Sequence, residues 1–238
     1  ELIKGLVPNN DVIIEIGSNI GTHTVPLAKH LSNGGKIYAF EPQSQNRKLL
    51  EQNIKDNDIE NVQVSNMAIS SGEGKAYMNT FANDKLSNYG DARIFRDEFD
   101  NSECVQVKTL DEFFYNNCAG ENSVRLIKFD VQGQELNVII GSEKLINEYR
   151  PILYLENDNT ETSKKLIDKI KSLGYIIFWH LPPLFNPNNY LKNSKNIFPN
   201  IISCNMLCVH FSTKISLHES WKKFQIKDSN IHPFKREN

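Results

Sequence analysis

The sequence predicts an α/β protein built around a mostly parallel sheet with helices on both faces. Short apolar segments alternate with helix-periodic segments along most of the 238 residues, and a glycine-rich turn follows the first apolar segment. Because parallel strands need long crossover connections, this alternation is typical of a parallel sheet. Near the carboxyl end, a segment rich in Pro and Asn joins the last two strands without a helix, so we expect these two strands to pair antiparallel.

The individual elements follow from hydrophobic periodicity and from the residues that interrupt it. Seven strands are predicted, at residues 12–16, 37–40, 62–67, 123–130, 151–156, 174–180 and 205–210. Helices are predicted at residues 20–31, at 45–57, from about residue 134, and at 161–173. Residues 76–107 are mixed in character, and Asn, Asp and Gly at 82–92 predict an exposed loop. We expect one domain over residues 1–211 and a tail over 212–238 that forms a solvated helix or arm, with a subunit contact as the alternative.

Composition and charge disfavour several classes of protein. The formal net charge is −2, so the cationic excess of a general nucleic-acid binder is missing. The four Cys residues include no Cys-x-x-Cys pair, which disfavours both a zinc site and a disulfide framework. No apolar run approaches the length of a membrane span. We therefore expect a cytoplasmic protein with no nucleic-acid partner.

The glycine-rich turn at residues 15–21 predicts a nucleotide-type site. Its sequence, Glu-Ile-Gly-Ser-Asn-Ile-Gly, lies between a strand and a helix, where glycines let a ligand approach the backbone and helix N–H groups face it. Two carboxylates strengthen this interpretation: Glu41 ends the second strand, where it could accept both ribose hydroxyls, and Glu15 ends the first, where it could face an ammonium group. A purely structural turn is the alternative.

These positions also discriminate between cofactors. A dinucleotide carries a pyrophosphate, and its fingerprint has three glycines as G-x-G-x-x-G, whereas this chain has Asn19 in place of the second glycine. Glu15 would repel a pyrophosphate, but it would attract the ammonium group of S-adenosylmethionine. The acidic turn therefore favours S-adenosylmethionine over NAD, and the antiparallel last strand favours it independently.

Several motifs in order resemble the FkbM-type S-adenosylmethionine-dependent methyltransferases. They are Val12-x-x-Glu15-x-Gly17-x-Asn19-x-Gly21, then Ala39-Phe40-Glu41-Pro42 with Asn46, then residues 126–135 (LIKFDVQGQE) and 155–157 (LEN). The resemblance covers residues 12–210 and implies a Rossmann-like class I methyltransferase fold. The family pattern after Asp130 is Val-Glu-Gly-Ala-Glu, so Gln132 and Gln134 are departures, and Gln132 removes a negative charge from that turn.

The resemblance also implies which residues contact the cofactor. The methionine part would be surrounded by residues of the turn and the following helix, namely Glu15, Gly17, Ser18, Asn19, Gly21 and Thr24. Glu41 would hold the ribose, with Pro42 and Gln43 beside it. Ala68 would lie near the adenine, and Asp130 would border both the methionine end and the methyl-transfer cleft.

The polar residues that end later strands are candidates for the acceptor site, because ligands of doubly wound sheets bind at the carboxyl ends of the strands. If the acceptor is an alcohol, a base or a metal ion must help its proton to leave. His180 is the candidate base, with a structural role as the alternative. Asp130 with Glu156 or Asp158 could instead bind a divalent cation such as Mg²⁺, or could hydrogen-bond sugar hydroxyls.

Two loops, residues 85–96 and 181–203, are predicted to shape the acceptor pocket, since aromatic faces beside Asn side chains suit a sugar ring. The candidate substrate contacts are Asn88, Tyr89, Glu135, Glu156 and Asn157. We expect an enzyme that O-methylates a hydroxyl of a sugar or glycoconjugate, the acceptor class that the resemblance implies. The alternatives are N-methylation of an amino-sugar or peptide amine, an NAD oxidoreductase, and a binding module without activity.

Overall fold

A computed structural model describes residues 2–31, 34–80, 94–118, 120–121, 123–189, 191–215 and 217–235. The strands in these ranges are β1 (Val12–Ile16), β2 (Lys36–Phe40), β3 (Val62–Ser65), β4 (Ala68–Ile69), β5 (Gly74–Asn79), β6 (Ile94–Phe95), β7 (Ser102–Lys108), β8 (Leu126–Phe129), β9 (Ile152–Glu156), β10 (Tyr175–His180) and β11 (Asn205–His210). The α-helices are α1 (Leu2–Leu6), α2 (Thr24–His30), α3 (Ser44–Asp56), α4 (Leu110–Asn117), α5 (Glu135–Ile140), α6 (Glu143–Tyr149) and α7 (Ser163–Ser172). A 3₁₀ helix covers Glu219–Phe224.

The main sheet has the strand order β10-β11-β9-β8-β1-β2-β3. β3, β2, β1, β8 and β9 pair in parallel, and β11 runs antiparallel to both of its neighbours, β9 and β10. The predicted seven-stranded, mostly parallel sheet with a final antiparallel strand is confirmed. The insertion of β11 between β9 and β10 was not predicted, because pairing between residues 49 or more positions apart, as in Asn205 with Glu156, leaves no local sequence signal.

Helices cover both faces of the sheet, as expected. On one face, α1, α2 and α3 pack against alternate strand residues such as Ile13, Ile37 and Leu126. On the other face, α4 to α7 pack against the intervening residues, including Ile14 and Ile127. Since both faces of the sheet are buried, the central strands have continuous apolar sequences rather than alternating apolar and polar residues.

A second sheet of order β4-β7-β5-β6 lies in the segment that the sequence left mixed. Its small core consists of Ala68, Ala76, Met78, Val105 and Val107. Alternation along β5 and β7 buries one face only, and the polar residues between these positions obscured the strands in the sequence. The predicted exposed loop, residues 82–92, lies outside the described residues.

Other differences from the predicted elements are local. Helix α2 begins at Thr24 rather than at residue 20, because residues 20–23 complete the turn. In the C-terminal segment after residue 211, Ile226 and His232 are buried, and the Ile226 N–H donates to the carbonyl of Ile177 at 2.8 Å. Part of this tail therefore packs on β10, whereas the domain boundary at residue 211 stays a prediction. None of the helices in the described ranges is long and apolar enough to cross a membrane.

Candidate functional site

The turn after β1 is held against the neighbouring strands by its backbone. The N–H groups of Gly17 and Ser18 both donate to the carbonyl of Phe40, at 2.9 and 3.0 Å. Gly17 has φ +80°, and a Cβ at this position would lie 2.0 Å from the carbonyl oxygen of Asp130. Only glycine allows this approach. The absence of a side chain at Gly17 therefore lets the turn contact the end of β8.

Glu41 closes β2 and faces the same turn. Its Oε2 accepts from the Asn19 N–H at 2.8 Å and its Oε1 accepts from the Gln43 N–H at 3.0 Å. The residue is only 4% exposed, and burial raises the pKa of its carboxyl to about 7, although the two backbone N–H donors oppose this shift. Asn19 adopts a left-handed conformation, φ 49°, which aims its N–H at this carboxylate.

A cavity of about 220 Å³ opens at the carboxyl ends of the central strands. Its apolar wall consists of Ile16, Phe40, Met67, Ala68, Ile69, Met78 and Val131. Its polar side chains are those of Asn19, Glu41, Asn46, Asp130, Gln132 and Glu156. Gly17 and Pro42 also line it. The cavity therefore has an apolar region beside Glu41 and an acidic region at the ends of β8 and β9.

In the acidic region, an amide group bridges two carboxylates. The Gln132 Nε2 lies 3.4 Å from Oδ1 of Asp130 and 3.3 Å from Oε2 of Glu156. Burial raises the pKa of Glu156 to about 7, and the charges of Asp130 and Asp158 add to this rise. Gln132 has φ 51° and is followed by Gly133 at φ 90°, a pair of left-handed residues that turns the chain sharply after β8.

Glu15, which the sequence placed against the ligand, is used inside the protein. Its Oε2 accepts from the Thr24 hydroxyl at 2.6 Å, and its Oε1 lies 3.3 Å from the ammonium of Lys128. The side chains of Glu15 and Lys128 are only 1% and 4% exposed, and neither lines the cavity. Asp130 and Glu156, rather than Glu15, therefore line the cavity.

His180 lies outside this cavity, in a second cleft. The cleft is lined by Lys4, His23, Tyr154, Asn186 and His180 itself, among others. The Nδ1 of His180 lies 2.9 Å from the Tyr154 hydroxyl, and the ring also contacts the Trp221 indole, with centroids 5.7 Å apart. Burial lowers the pKa of His180, which favours the neutral imidazole that a general base requires.

Comparison with known proteins identifies the family. The model of the methyltransferase FkbM domain matches residues 15–177. The chain belongs to the FkbM methyltransferase family. A search of curated protein sequences finds no match.

Several solved structures resemble this chain in fold. An FkbM methyltransferase from Methylobacillus flagellatus KT has a TM-score of 0.53 and 16% identity, over 85% of this chain and 45% of that one. A precorrin-6y C5,15-methyltransferase from Geobacter metallireducens GS-15 has a TM-score of 0.52 and 14% identity, over 88% and 84%. An S-adenosylmethionine-dependent O-methyltransferase from Thermotoga maritima has a TM-score of 0.50 and 16% identity, over 90% and 64%. The chain thus spans less than half of the Methylobacillus protein, and the class I methyltransferase fold is confirmed.

Besides Glu15 and Thr24, three predicted cofactor contacts build the site without lining the cavity. The Ser18 hydroxyl donates to the Glu15 carbonyl at 3.2 Å. The side chain of Gln43 caps α3 by accepting from the Asn46 N–H at 2.7 Å. Gly21 has φ +91°, and a Cβ there would lie 2.8 Å from the Leu50 side chain, so it lets the turn pack on α3.

The predicted substrate contacts divide into three groups. Glu156 lines the cavity, whereas Glu135 is buried at the start of α5, accepts from the Gly133 N–H at 3.2 Å, and has its pKa raised by burial. Asn157 is also buried, and its amide donates to the Ser163 hydroxyl at 2.9 Å, so this side chain is engaged away from the cavity. Asn88 and Tyr89 lie outside the described residues.

The sequence reasoning missed several cavity residues. Met78 belongs to β5 of the second sheet, which was not predicted, so no local signal could have placed it near β1. Met67 lies two residues after the end of β3 and could have been found from the rule that ligands bind beyond the strand ends. Asn46 was noticed in the family motif but not assigned to the site.

A metal site was considered from the sequence at Asp130 with Glu156 or Asp158. Across the part of the chain that the structure describes, no group of three or more His, Cys, Asp or Glu side chains is arranged to hold a metal ion. Gln132 explains why Asp130 and Glu156 do not form a cation site, because its amide nitrogen, a hydrogen-bond donor, lies between their two carboxylates.

Proposed function

We propose that this FkbM methyltransferase uses S-adenosylmethionine to O-methylate a hydroxyl of a sugar or glycoconjugate. The observation that carries the cofactor assignment is Glu41, a buried carboxylate that lines the cavity where β2 ends. Each of its oxygens accepts one backbone N–H and keeps a further lone pair, so the group can still accept from the two hydroxyls of a ribose.

The rest of the cavity fits the other parts of this cofactor. Phe40, Met67, Ala68 and Met78 offer an apolar wall for an adenine ring. Asp130 and Glu156 provide negative charge for the ammonium and sulfonium groups. When bound, S-adenosylmethionine supplies a methyl group that the positive sulfur has already activated, so the protein chiefly has to orient the reactants.

The same carboxylates argue against a dinucleotide. Glu41, Asp130 and Glu156 all line the cavity, and three acidic groups would repel the two negative charges of a pyrophosphate. In the turn, the left-handed Asn19 directs its N–H to Glu41 and its Oδ1 accepts from the Ile20 N–H at 2.7 Å, so these groups are already engaged. An NAD oxidoreductase is therefore the weaker hypothesis.

For the acceptor, we propose a carbohydrate hydroxyl whose proton is taken by His180. Burial lowers the pKa of this imidazole, which keeps the base form available near neutral pH. Asp130 would border the transferred methyl group and help to hold the acceptor. With a net charge of −2, the chain is better suited to a small or carbohydrate acceptor than to a nucleic acid.

An amine acceptor is the second candidate, and the acidic pair of Asp130 and Glu156 favours it, since these side chains could hold the ammonium of an amino-sugar. The two candidates differ in their need for a base. Replacing His180 with Gln should reduce turnover about 100-fold or more if a hydroxyl is deprotonated by His180. The same substitution should have little effect on the turnover of an amine that reaches the site as the free base.

Calorimetry and an activity assay test the proposal. We expect S-adenosylhomocysteine to bind and NAD not to bind, and we expect Glu41→Gln to weaken the first interaction. A methyl-release assay over nucleotide-sugars, oligosaccharides and amino-sugars would then identify the acceptor class. Binding of NAD in preference to S-adenosylhomocysteine would exclude the proposed function, and turnover of amines alone would exclude the hydroxyl.

A further inference from the structure

We propose that His232 is a positioning residue, which holds the acidic region of the cavity in place for the amino-acid part of the cofactor. It lies in the segment after residue 211 and binds the main-chain carbonyl of Asn157, the residue that follows Glu156. The family model matches residues 15–177, so His232 lies outside that match. This inference rests on the proposed function, since it names a support for the cofactor site of that reaction.

His232 is buried against the main sheet. It is only 5% exposed, although the residues on both sides of it are exposed. Its imidazole makes a T-shaped contact with the Trp179 ring of β10, with centroids 5.1 Å apart. Ile226 of the same segment is also buried, and its N–H donates to the carbonyl of Ile177 at 2.8 Å. The segment is therefore attached to β10 at two points, of which His232 is one.

Two hydrogen bonds fix the tautomer of His232. Its Nε2 lies 2.8 Å from the carbonyl oxygen of Asn157, which can only accept, so Nε2 carries the hydrogen. The Cys204 sulfur, a weak acceptor 4.0 Å from Nε2, does not compete with this oxygen. The Nδ1 accepts from the backbone N–H of Phe234 at 3.1 Å, a group that can only donate. Both ring nitrogens of the neutral imidazole are satisfied, and its single N–H is directed at the chain that follows β9.

Asn157 is held from three directions. Its backbone N–H donates to the carbonyl of Cys204, just before β11, at 2.8 Å. Its side-chain amide donates to the hydroxyl of Ser163, the first residue of α7, at 2.9 Å. His232 supplies the third contact, to the carbonyl. Because Asn157 is only 3% exposed, loss of His232 would leave a buried carbonyl that needs a new partner, and the main chain would have to turn to reach one.

This main chain connects two acidic residues. Asn157 separates Glu156, whose side chain lines the cavity, from Asp158. The carbonyl that His232 binds belongs to the peptide between Asn157 and Asp158. Burial, the charge of Asp130 and the charge of Asp158, in this order, raise the pKa of Glu156 to about 7. The peptide held by His232 therefore sets the position of two acids whose charges interact.

The contact that the Glu156 carboxylate makes within the cavity is weak. The Gln132 amide nitrogen lies 3.3 Å from Oε2 of Glu156, which is at the long end of hydrogen-bond distances. The direction of this carboxylate thus depends mainly on the main chain of β9 and of the residue after it. Since the attraction between a carboxylate and an ammonium depends on their separation and on the water between them, a turn of this main chain would weaken ammonium binding.

The nucleoside end of the cavity has a separate support. Glu41, at the end of β2, is held by the N–H groups of Asn19 and Gln43 at 2.8 and 3.0 Å. In the sheet, β1 and β8 lie between β2 and β9. We therefore expect the loss of His232 to weaken recognition of the amino-acid part of the cofactor and to leave recognition of the nucleoside unchanged.

Calorimetry with two ligands tests this difference. S-adenosylhomocysteine carries the ammonium group, whereas methylthioadenosine has the same nucleoside and sulfur but no amino-acid part. We expect His232→Leu to lower the affinity for S-adenosylhomocysteine about tenfold, the effect of weakening one interaction with a charged group. The affinity for methylthioadenosine should stay within about twofold of the wild-type value. An unchanged ratio of the two affinities in His232→Leu would overturn the proposal.

Two further variants separate the hydrogen bond from a general effect of the segment. His232→Gln keeps an N–H donor for the Asn157 carbonyl and should restore the S-adenosylhomocysteine affinity to within about threefold of wild type. His218→Leu is the matched control, since His218 is an exposed histidine of the same segment whose Nδ1 accepts from the Ser220 N–H at 3.3 Å. It should bind both ligands as the wild type does. The proposal fails if His232→Gln binds no better than His232→Leu, or if His218→Leu loses as much affinity.

NMR of the wild-type protein gives a readout that does not depend on the folding of any variant. In protein with isotope-labelled histidine, proximity to the Trp179 ring assigns the His232 signal. We expect the Nε2–H tautomer, with this hydrogen protected from exchange with water. An Nδ1–H tautomer would mean that His232 does not donate to Asn157, and the proposal would be wrong.

These results can be separated from those that test the proposed function. If the wild-type protein binds neither S-adenosylhomocysteine nor methylthioadenosine, the proposed function is wrong, and with it the role of the cavity. If the wild type binds both ligands and His232→Leu leaves the ratio of their affinities unchanged, only the role of His232 is wrong.

Discussion

Glu15 on β1 and Lys128 on β8 form an ion pair of 3.3 Å beneath the glycine-rich turn, and both side chains are buried. The sheet register pairs the two residues directly, so their side chains project to the same face. Since burial of a single charge is costly, each of the two residues is tolerated there only because the other is present.

Removal of one partner should therefore destabilise the fold. We expect Lys128→Met to lower the free energy of unfolding by about 3–5 kcal/mol, because Glu15 is left buried without its partner. Urea denaturation followed by circular dichroism measures this. Lys222→Met is the control, since Lys222 pairs with Glu219 at 3.1 Å in full solvent exposure and should cost at most about 1 kcal/mol. Similar losses of unfolding free energy in the two variants would show that the buried ion pair contributes no more stability than the exposed one.

Glu41 should control affinity for the nucleoside part of the cofactor. We expect Glu41→Gln to weaken S-adenosylhomocysteine binding about 10- to 100-fold, because the amide turns a donor toward groups that need a charged acceptor. Calorimetry measures the change. Glu103→Gln is a matched control, since Glu103 lies nearby and accepts from the Ser44 N–H at 2.9 Å without lining the cavity. If Glu41→Gln binds S-adenosylhomocysteine with unchanged affinity, Glu41 does not hold the ribose.

Stability and binding should depend on pH in opposite directions at Glu41. Burial raises its pKa from 4.5 to about 7, so the folded protein keeps the proton to a higher pH than the unfolded chain does. Its contribution to the free energy of unfolding is therefore full below pH 4.5 and falls by roughly 3 kcal/mol as the pH rises to about 7. Cofactor affinity should increase over the same range as the carboxylate ionises. Both effects are measured as the difference between the wild type and Glu41→Gln in unfolding free energy and in S-adenosylhomocysteine affinity across this pH range. Parallel pH profiles in the two proteins would exclude a contribution of Glu41 ionisation.

Gln132 should keep the acidic region from becoming a metal site. Gln132→Glu would replace the bridging amide with a carboxylate 3.3–3.4 Å from the oxygens of Asp130 and Glu156. We expect about 1–3 kcal/mol of destabilisation at neutral pH and a rise in melting temperature on adding Mn²⁺ or Mg²⁺. Gln134→Glu, the neighbouring departure from the family pattern, should show neither effect. A wild-type protein stabilised equally by these ions would contradict the prediction.

Gly17 should tolerate no side chain. The Cβ in Gly17→Ala would lie 2.0 Å from the Asp130 carbonyl oxygen, and φ is +80°, so the turn must shift away from β8. We expect several kcal/mol of destabilisation or loss of S-adenosylhomocysteine binding, measured by denaturation and calorimetry. For Gly72→Ala, where a Cβ would meet nothing within 4 Å, we expect a change of about 0.5 kcal/mol or less. A Gly17→Ala protein with wild-type stability and binding would refute the role of this close approach.

The sequence alone predicted the seven main-sheet strands in chain order, the glycine turn and the position of Glu41, because each depends on short-range patterns. Apolar runs, helical spacing and the glycines of the turn are visible within a few neighbouring residues. The missing helix between β10 and β11 likewise revealed their antiparallel pairing. The family motifs lie on these same elements, which is why the fold could be inferred from one chain.

Which carboxylates face the cavity depends on the three-dimensional packing of the strands. Glu15 and Lys128 are 113 residues apart in the chain, and their pairing depends on β1 and β8 being adjacent in register. That pairing withdraws Glu15 from the cavity and leaves Asp130 and Glu156 to face it. Contacts between residues far apart in sequence are set by packing and register rather than by local pattern, so spacing alone could not reveal them.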